Sequence, residues 1–502
     1  MQAWIDAFAG ILEPTTFLYM AGGTVVGLIG AAIPGITITM TVILVLPFTF
    51  GVTPLQGLAT MTGVYVGGST GGLVTATLLG IPGTPSAIAT TFEAFPMARK
   101  GQAGRALWLG IWASFLGGLL ATPPLVIGAT QLAAFAVQFG PWEFFSLFVL
   151  TLTIVASLSE QSLVKGLLAG VFGLFVTCVG ADPLMGVARF TFGTDFLLSG
   201  FPFLPVLIGI FAFSQMMTDI ERAGTAEAAA APRHFDLSVS HVKVLGEIVR
   251  QPFNLLWSST IGLWIGVLPA VGGSAANILA YDQAKKFSRH PEQFGTGIPD
   301  GIIATEASND ANVGGSLITM MAFGIPGDAV TAVMLGALII HGIAPGPLFM
   351  TTHTEVAYGM FAAYILTHFI TVAASWALLR YGLRVILTPL PVLIPIILVL
   401  SALGSYALNN IIENVWTLFF FGIVGYGMVK LGFPLAPLIL GVVLGDQLET
   451  NYIRAVMTDA NGWLFVTRPL SGVLLALSVV SVVVALWQRR RSPPPGEAAP
   501  EM

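Results

Sequence analysis

The chain has 502 residues with a formal net charge of −5; 55% are hydrophobic, only 9% are charged, and the mean hydropathy is +0.86. A soluble domain carries about 25% charged residues, so this composition excludes a soluble enzyme, gives no reason to expect a nucleic-acid partner, and points to an all-α protein that crosses a lipid bilayer many times. Cys178 is the sole cysteine, which rules out an internal disulfide framework and a cysteine-rich metal site.

Taken in order, the residues to Glu13 read as a short interfacial segment with Trp4 and Phe8. No charged leader with a short apolar core and cleavage site opens the chain, so no cleaved signal peptide is expected. Between Pro14 and Phe92 there is no Asp, Glu, Lys, Arg or His, which leaves room for several spans of roughly 20 residues. The first, Thr15 to Ile33, contains Gly22, Gly23, Gly27 and Gly30, small residues that let helices approach closely in membranes. A break follows at Pro34-Gly35-Ile36-Thr37-Ile38-Thr39, then an apolar run to Phe50, then Leu55 to Gly80. Most of the threonines here are expected to bond back to their own helix; those beside the break are better placed to meet an ion or a carboxylate.

Gly71-Gly72 opens the run GGLVTATLLGIPGT, which ends at Pro82, Gly83 and Thr84. Proline between two glycines cannot continue a helix, so this reads as an apolar helical arm stopped at a sharp turn. Lipid does not tolerate such a turn unless protein or a water-filled cavity covers it. A basic stretch, Phe95 to Arg105, comes next, followed by spans near Ala106–Thr130, Trp142–Leu158, Leu163–Gly180 and Phe203–Met217; Pro123-Pro124 is expected to kink or split the first. Asp219 to Arg250 is mixed in charge and reads as a cytoplasmic linker.

The second half echoes the first. Gly262 to Pro269 matches Gly27 to Pro34 with a one-residue slip, and a break at Ala270-Val271-Gly272-Gly273-Ser274 follows. Gly314-Gly315 opens GGSLITMMAFGIPGD, ending at Pro326, Gly327 and Asp328; its Gly-Ile-Pro-Gly lies 244 residues after the first, Gly324 against Gly80. Further spans are expected near Ala329–Phe349, Val356–Leu379, Leu383–Leu403, Ile411–Lys430, Pro434–Leu444 and Leu470–Trp487, before Arg489-Arg490-Arg491. Basic residues concentrate on cytoplasmic loops, so the C-terminus is expected in the cytoplasm. Arg99, Lys100 and Arg105 follow the first Gly-Ile-Pro-Gly, whereas Lys285, Lys286 and Arg289 precede the second. Opposite positions in matched copies predict inverted repeats with broken or re-entrant helices, the pattern of secondary transporters. The expected architecture is about 10–14 segments in two repeats, residues 1–218 and 251–469, joined by 219–250 and closed by a final helix and tail, 470–502.

Polar residues at membrane depth gather in repeat two: Asn277 and Tyr281, then Glu306, Asn309, Asp310 and Asn312, then Asp328. Such groups are costly in lipid and face a cavity or a partner. Helix N-termini freed by the breaks offer amides to an anion, and freed carbonyls with a carboxylate suit sodium or a proton. An anionic substrate is therefore expected between the breaks (Pro34, Gly35, Thr37; Gly272, Gly273, Ser274, Asn277) and the arms (Gly71, Gly72, Pro82, Gly83, Thr84; Asn312, Gly314, Gly315, Pro326, Gly327). Cation coupling is expected at Asp328, with Asn309, Asp310 and Glu306, and a sodium ion or a proton as coupling ion; Asp328 is the expected sodium ligand. The alternative for Asp328 is an N-cap of the helix starting at Ala329. No catalytic residue or other cofactor is expected: His341 and His353 have no accompanying nucleophile motif, and no Gly-rich loop ending in Gly-Lys-Ser/Thr argues for a built-in ATPase.

Tyr281 to Gly297 (YDQAKKFSRHPEQFGTG), Phe95 to Arg105 (FPMARKGQAGR) and both Gly-Ile-Pro-Gly arms resemble the large membrane subunit of the tripartite tricarboxylate transporter family. The resemblance covers nearly the whole chain. It implies a bacterial inner-membrane permease working with a small four-helix membrane subunit and a periplasmic solute-binding protein. It further implies import of carboxylates such as citrate or related di- and tricarboxylates, driven by an ion gradient. The sequence departs from the family pattern at Asn309-Asp310-Ala311-Asn312, where Asn-Asn-Ala is expected, and at Pro299-Asp300-Gly301, where Pro-Glu-Gly is usual. An anion-selective channel, which has no need of the basic loops that match a tripartite system, or a carboxylate exporter with no binding-protein partner, is the alternative.

Overall fold

Proline and glycine set the ends of the long helices. In the computed structural model, which describes residues 2–157, 162–223, 237, 239–382 and 390–491, helix follows helix. The first are α1 (Gln2–Leu12), α2 (Pro14–Ala31), α3 (Ile38–Val45), α4 (Pro54–Leu79), α5 (Thr91–Met97), α6 (Ala103–Ala136), α7 (Pro141–Ser157) and α8 (Leu163–Thr177). Two short strands, β1 (Gly180–Ala181) and β2 (Ala188–Arg189), pair antiparallel with Gly180 opposite Arg189. There follow α9 (Phe203–Leu207), α10 (Ser214–Ala223), α11 (His241–Val249), α12 (Pro252–Val267), α13 (Gly272–Phe287), α14 (Pro299–Phe323), α15 (Ala329–Ile340), α16 (Phe349–Thr352) and α17 (Thr354–Ala377). The last are α18 (Leu390–Ala407), α19 (Glu413–Lys430), α20 (Leu435–Thr458), α21 (Leu464–Thr467) and α22 (Pro469–Arg491).

The protein is an all-α polytopic membrane protein. Five of its described helical segments are long and apolar enough to cross a bilayer, at Pro14–Ala31, Thr91–Ala136, Phe203–Glu221, Thr354–Gly382 and Pro469–Trp487. The chain divides into two compact units: Met1–Val137 with Leu204–Tyr426, and Gln138–Phe203 with Gly427–Met502. In the second, α20 packs on α8 and α7, and α22 packs on α7. Its polar loop is tied by Arg189, whose guanidinium meets Glu449 and lies 3.8 Å from Asp182. The amides of Met185 and Leu184 donate to Asp182 and hold its carboxyl below the usual carboxylate range.

The first unit contains two matched helix pairs, which carry the two Gly-Ile-Pro-Gly copies. α2 runs along α4 and α12 along α14, and α6 also packs along α14. Small residues allow these approaches. A Cβ on Gly27 would lie 2.2 Å from the Val64 carbonyl oxygen, and one on Gly262 would lie 2.0 Å from that of Ser308. A Cβ on Gly71 would meet the Leu28 oxygen at 2.5 Å, and one on Gly315 the Leu263 oxygen at 2.2 Å. Each pair maps onto the other by the same two sequence displacements, Gly27 to Gly262 on the outer helix and Gly71 to Gly315 on the inner one.

Both inner helices start with proline in the first turn and end on a left-handed glycine, Gly80 at φ 68° and Gly324 at φ 69°. Glycine is favoured there because a Cβ is strained at positive φ. Residues Gly57–Leu78 of α4 and Gly301–Ala322 of α14 are buried throughout. Two expectations change in detail. Pro123 and Pro124 do not split their span: α6 runs unbroken from Ala103 to Ala136. Of the expected linker, His241–Val249 is a helix packed on α6, where Glu247 pairs with Arg105 at 2.8 Å. Residues 224–236 and 238 of that linker, 383–389 of the span expected from Leu383, and the tail 492–502 with its expected cytoplasmic side lie outside the described residues.

Candidate functional site

The turns that end α4 and α14 fold back against their own helices. The Gly83 amide donates to the Gly72 carbonyl at 3.3 Å. A Cβ at Gly83 would stand 2.4 Å from the Ala31 oxygen and 3.0 Å from Gly72 Cα; at Gly327 it would stand 2.5 Å from the Gly266 oxygen and 2.5 Å from Ser316 Cα. No side chain fits at either place. The two tips are therefore seated identically, each in the crook between an outer and an inner helix.

The break before α13 lies between them. Ala270 and Gly272 take positive φ, 55° and 71°, which turns the chain before α13 begins. A Cβ on Gly272 would lie 3.9 Å from Asp328 Cβ, beside the second tip. One on Gly273 would lie 2.9 Å from Ser86 Cβ, beside the first, and 3.0 Å from Asn309 Oδ1 and 3.6 Å from Asn312 Nδ2. Gly272 and Gly273 thus meet the segments that follow both Gly-Ile-Pro-Gly turns, and Asn309 and Asn312 meet Gly273. Asn312 Oδ1 is buried with no hydrogen-bond partner, and an unsatisfied buried acceptor implies a missing donor. Ser274 opens the first turn of α13 beside this point, where helix amides face outward.

Behind that junction α14 carries two fully buried acids one turn apart, Glu306 and Asp310. Glu306 accepts from Thr90 Oγ1 at 2.6 Å and from Ser114 Oγ at 3.1 Å. Asp310 accepts from Ser69 Oγ at 2.5 Å and Thr70 Oγ1 at 3.2 Å, and His368 Nε2 is 3.8 Å away. Asn309 Nδ2 donates to the Ser69 carbonyl at 2.8 Å, which joins α14 to α4 across the two repeats.

Other expected residues are placed where they hold the fold. Asn277 accepts from the Ala89 amide at 2.8 Å and donates to Thr90 Oγ1 and the Thr305 carbonyl; these contacts engage both ends of its amide in joining α13 to the other repeat. Thr37 caps α3, accepting from the Met40 amide at 3.2 Å. The first break, with Pro34 and Gly35, leads directly into α3, where Ile38 packs on the Gly68 position of α4. Gly71 and Gly315 face the outer helices, Gly72 makes room for Thr84, and Gly314 faces Tyr364 and Ala121. The double glycines are packing seats. Pro82 and Pro326 sit within the tips, the second buried.

Asp328 is the N-cap of α15 in a capping box with Thr331: its Oδ1 accepts from the Thr331 amide at 2.8 Å, and its own amide donates to Thr331 Oγ1 at 2.9 Å. Its Oδ2 accepts from the Tyr65 hydroxyl. An ionised carboxylate offers about four acceptor sites; the Thr331 amide, the Thr331 hydroxyl at 2.8 Å and the Tyr65 hydroxyl are its protein donors. No group of three or more His, Cys, Asp and Glu suited to a metal ion occurs among the described residues. Tyr65, Ser69, Ser114, Tyr364 and His368 were not singled out from sequence. His368 had a signal: it is the one His, Asp, Glu, Lys or Arg in the run Val356–Leu379.

Comparison with known proteins gives two kinds of match. The profile described as "Tripartite tricarboxylate transporter TctA family" matches residues 17–440. An Agrobacterium vitis protein, described as an uncharacterized 52.8 kDa protein in the TAR-I ttuC′ 3′ region, is 33% identical over 489 residues, covering 97% of this chain and 96% of the relative. A second from the same organism, in the TAR-II ttuC′ 3′ region, is 33% identical over 232 residues, 46% of this chain and 96% of the relative. No solved structure matches.

Proposed function

Since the chain belongs to the TctA family of tripartite tricarboxylate transporters, we propose that it is the permease subunit of a secondary transporter importing citrate or related di- and tricarboxylates across a bacterial inner membrane. In this reading a periplasmic solute-binding protein delivers the carboxylate, a small four-helix membrane subunit completes the complex, and a cation gradient drives accumulation. The observation that carries the reading is the junction at Gly272-Gly273. There the segments after both tips converge on a helix N-terminus, with the donor Nδ2 of Asn312 beside it, 3.6 Å from where a Cβ on Gly273 would stand. Backbone amides and the Asn312 side-chain NH2 suit a carboxylate at a helix start, whereas the Asn309 NH2 is engaged by the Ser69 carbonyl. No Lys or Arg is required in the arrangement, because α14 carries none and the helix terminus itself is electropositive.

The reading assigns Asn277, Thr37 and the double glycines to positioning, and Asn312, Gly273 and Ser274 to the substrate. Uptake of labelled carboxylates by cells expressing the chain with its two partners tests it. Asn312→Ala should raise the half-saturating concentration or abolish uptake while the protein remains in the membrane. Uptake by Asn312→Ala indistinguishable from wild type would contradict the placement.

A further inference from the structure

We propose that Asp310 and His368 hold one exchangeable proton between them and that this proton is the coupling ion; the second half of the inference rests on the transport reading above. His368 Nδ1 lies 2.6 Å from the Tyr364 carbonyl oxygen. A carbonyl only accepts, so Nδ1 carries the hydrogen, and in the neutral ring Nε2 is a bare acceptor. That Nε2 is buried, has no hydrogen-bond partner and points to Asp310 Oδ1 at 3.8 Å. With Asp310 ionised and His368 neutral, two acceptors would face each other in a site closed to water, leaving a buried charge unpaired. One proton removes the conflict. It sits on Asp310 Oδ1, or it moves to His368 Nε2: the O–H bond breaks, the N–H bond forms, and a neutral pair becomes an aspartate–imidazolium pair of zero net charge.

The surroundings accommodate both forms. The Ser69 hydroxyl has two acceptors within reach, Asp310 Oδ1 at 2.5 Å and the Val66 carbonyl at 2.8 Å. It serves the carboxylate when Asp310 is ionised and turns to Val66 when Oδ1 is protonated. The other groups around the pair come from four helices. α14 adds Glu306, one turn away and held by Thr90 and Ser114. α4 adds Thr70, with Tyr65 committed to Asp328. α17 adds Tyr364, whose hydroxyl donates to the Asp310 carbonyl at 3.3 Å. α6 adds Ser114, which donates to Glu306 and also lies within hydrogen-bonding reach of Asp310, and Gly118, where a Cβ would fall 1.7 Å from His368 Nε2; its one basic residue, Arg105, pairs with Glu247.

The pair is also connected to the tips. Ser69 receives the Asn309 amide through its carbonyl at 2.8 Å, and Asn309 Oδ1 stands at the Gly273 junction. Protonation of Asp310 is thus transmitted through one serine to the place where the carboxylate is proposed to sit. A cation that neutralises the site before an anion binds gives the coupling a secondary transporter requires.

Infrared difference spectra of the full chain in lipid nanodiscs, recorded between acidic and alkaline buffer, test the proton site without substrate or partners. A protonated-carboxyl C=O band should titrate in the wild type, vanish in Asp310→Asn and shift its midpoint in His368→Gln. A spectrum unaltered by either substitution overturns the site. In cells carrying the partners, uptake should persist in sodium-free medium, collapse with a protonophore and, in Asp310→Asn, equilibrate without accumulating. Sodium-dependent uptake indifferent to the protonophore overturns the coupling role. If no carboxylate enters wild-type cells, the transport reading and the coupling fail together, and the infrared titration alone decides the site.

Discussion

Replacing Asp328 with alanine removes two things at once. The N-cap of α15 is lost, worth about 1 kcal/mol, and the Tyr65 hydroxyl loses its acceptor. Leaving a buried hydroxyl unpaired costs about 1–3 kcal/mol, so the total is about 2–4 kcal/mol. Asp328→Asn keeps an oxygen for the Thr331 amide and turns its NH2 toward Tyr65, whose hydroxyl then accepts; its cost should stay below about 1 kcal/mol. Thermal unfolding of the purified chain should rank wild type, Asn, then Ala, with Tyr65→Phe adding less to Asp328→Ala than it costs alone, because the two remove one interaction. Gradient-driven uptake by Asp328→Asn should be near normal, as a cap predicts. An Ala variant melting with the wild type would refute the structural reasoning, and an Asn variant that binds substrate but cannot accumulate it would return the coupling charge to Asp328.

Other consequences are as specific. Gly83→Val places a Cβ 2.4 Å from the Ala31 carbonyl oxygen and 3.0 Å from Gly72 Cα, and Gly327→Val one 2.5 Å from the Gly266 oxygen and from Ser316 Cα; each should abolish uptake, measured against membrane abundance, because no rotamer relieves a clash of the Cβ itself. Asn277→Ala strips partners from the Ala89 amide and the Thr305 carbonyl and should lower stability by about 1–3 kcal/mol, read as a lower melting temperature. The carboxyl of Asp182 is depressed in the folded chain, so its contribution is present above the unfolded value of about 3.9 and is lost as pH falls through the lower folded value. Hydrogen exchange in residues 180–189 should therefore accelerate only below about pH 4, and Asp182→Asn should remove most of that dependence.

The helix ends were legible because proline and glycine act locally: Gly80 and Gly324 stop their helices where the motif said they would. The likeness of the two helix pairs was legible for the same reason, since close helix approach selects small residues at fixed spacing. What reads poorly is the direction a residue faces. Gly71, Gly314 and Gly315 stand in the same motif as the tips yet point at neighbouring helices, and nothing in a one-dimensional pattern separates the two. Asn277 looks like a ligand from its depth, but its partners lie 188 and 28 positions away. Long-range partners also hid Glu93. It is buried in α5, where it takes amide hydrogens from Gly295, Gly297 and Ile298 and the hydroxyl hydrogen of Tyr281, tying the Tyr281–Gly297 motif to the helix that leads into Phe95–Arg105.

The central claim is carboxylate transport delivered by a binding protein. Proteoliposomes containing the chain and its small membrane partner, supplied with purified solute-binding protein and a labelled tricarboxylate outside, test it directly under an imposed cation gradient. Accumulation that requires the binding protein and the gradient together, and that stops in Gly327→Val, is the predicted result; accumulation equal with and without the binding protein, or simple equilibration whatever the gradient, would contradict it.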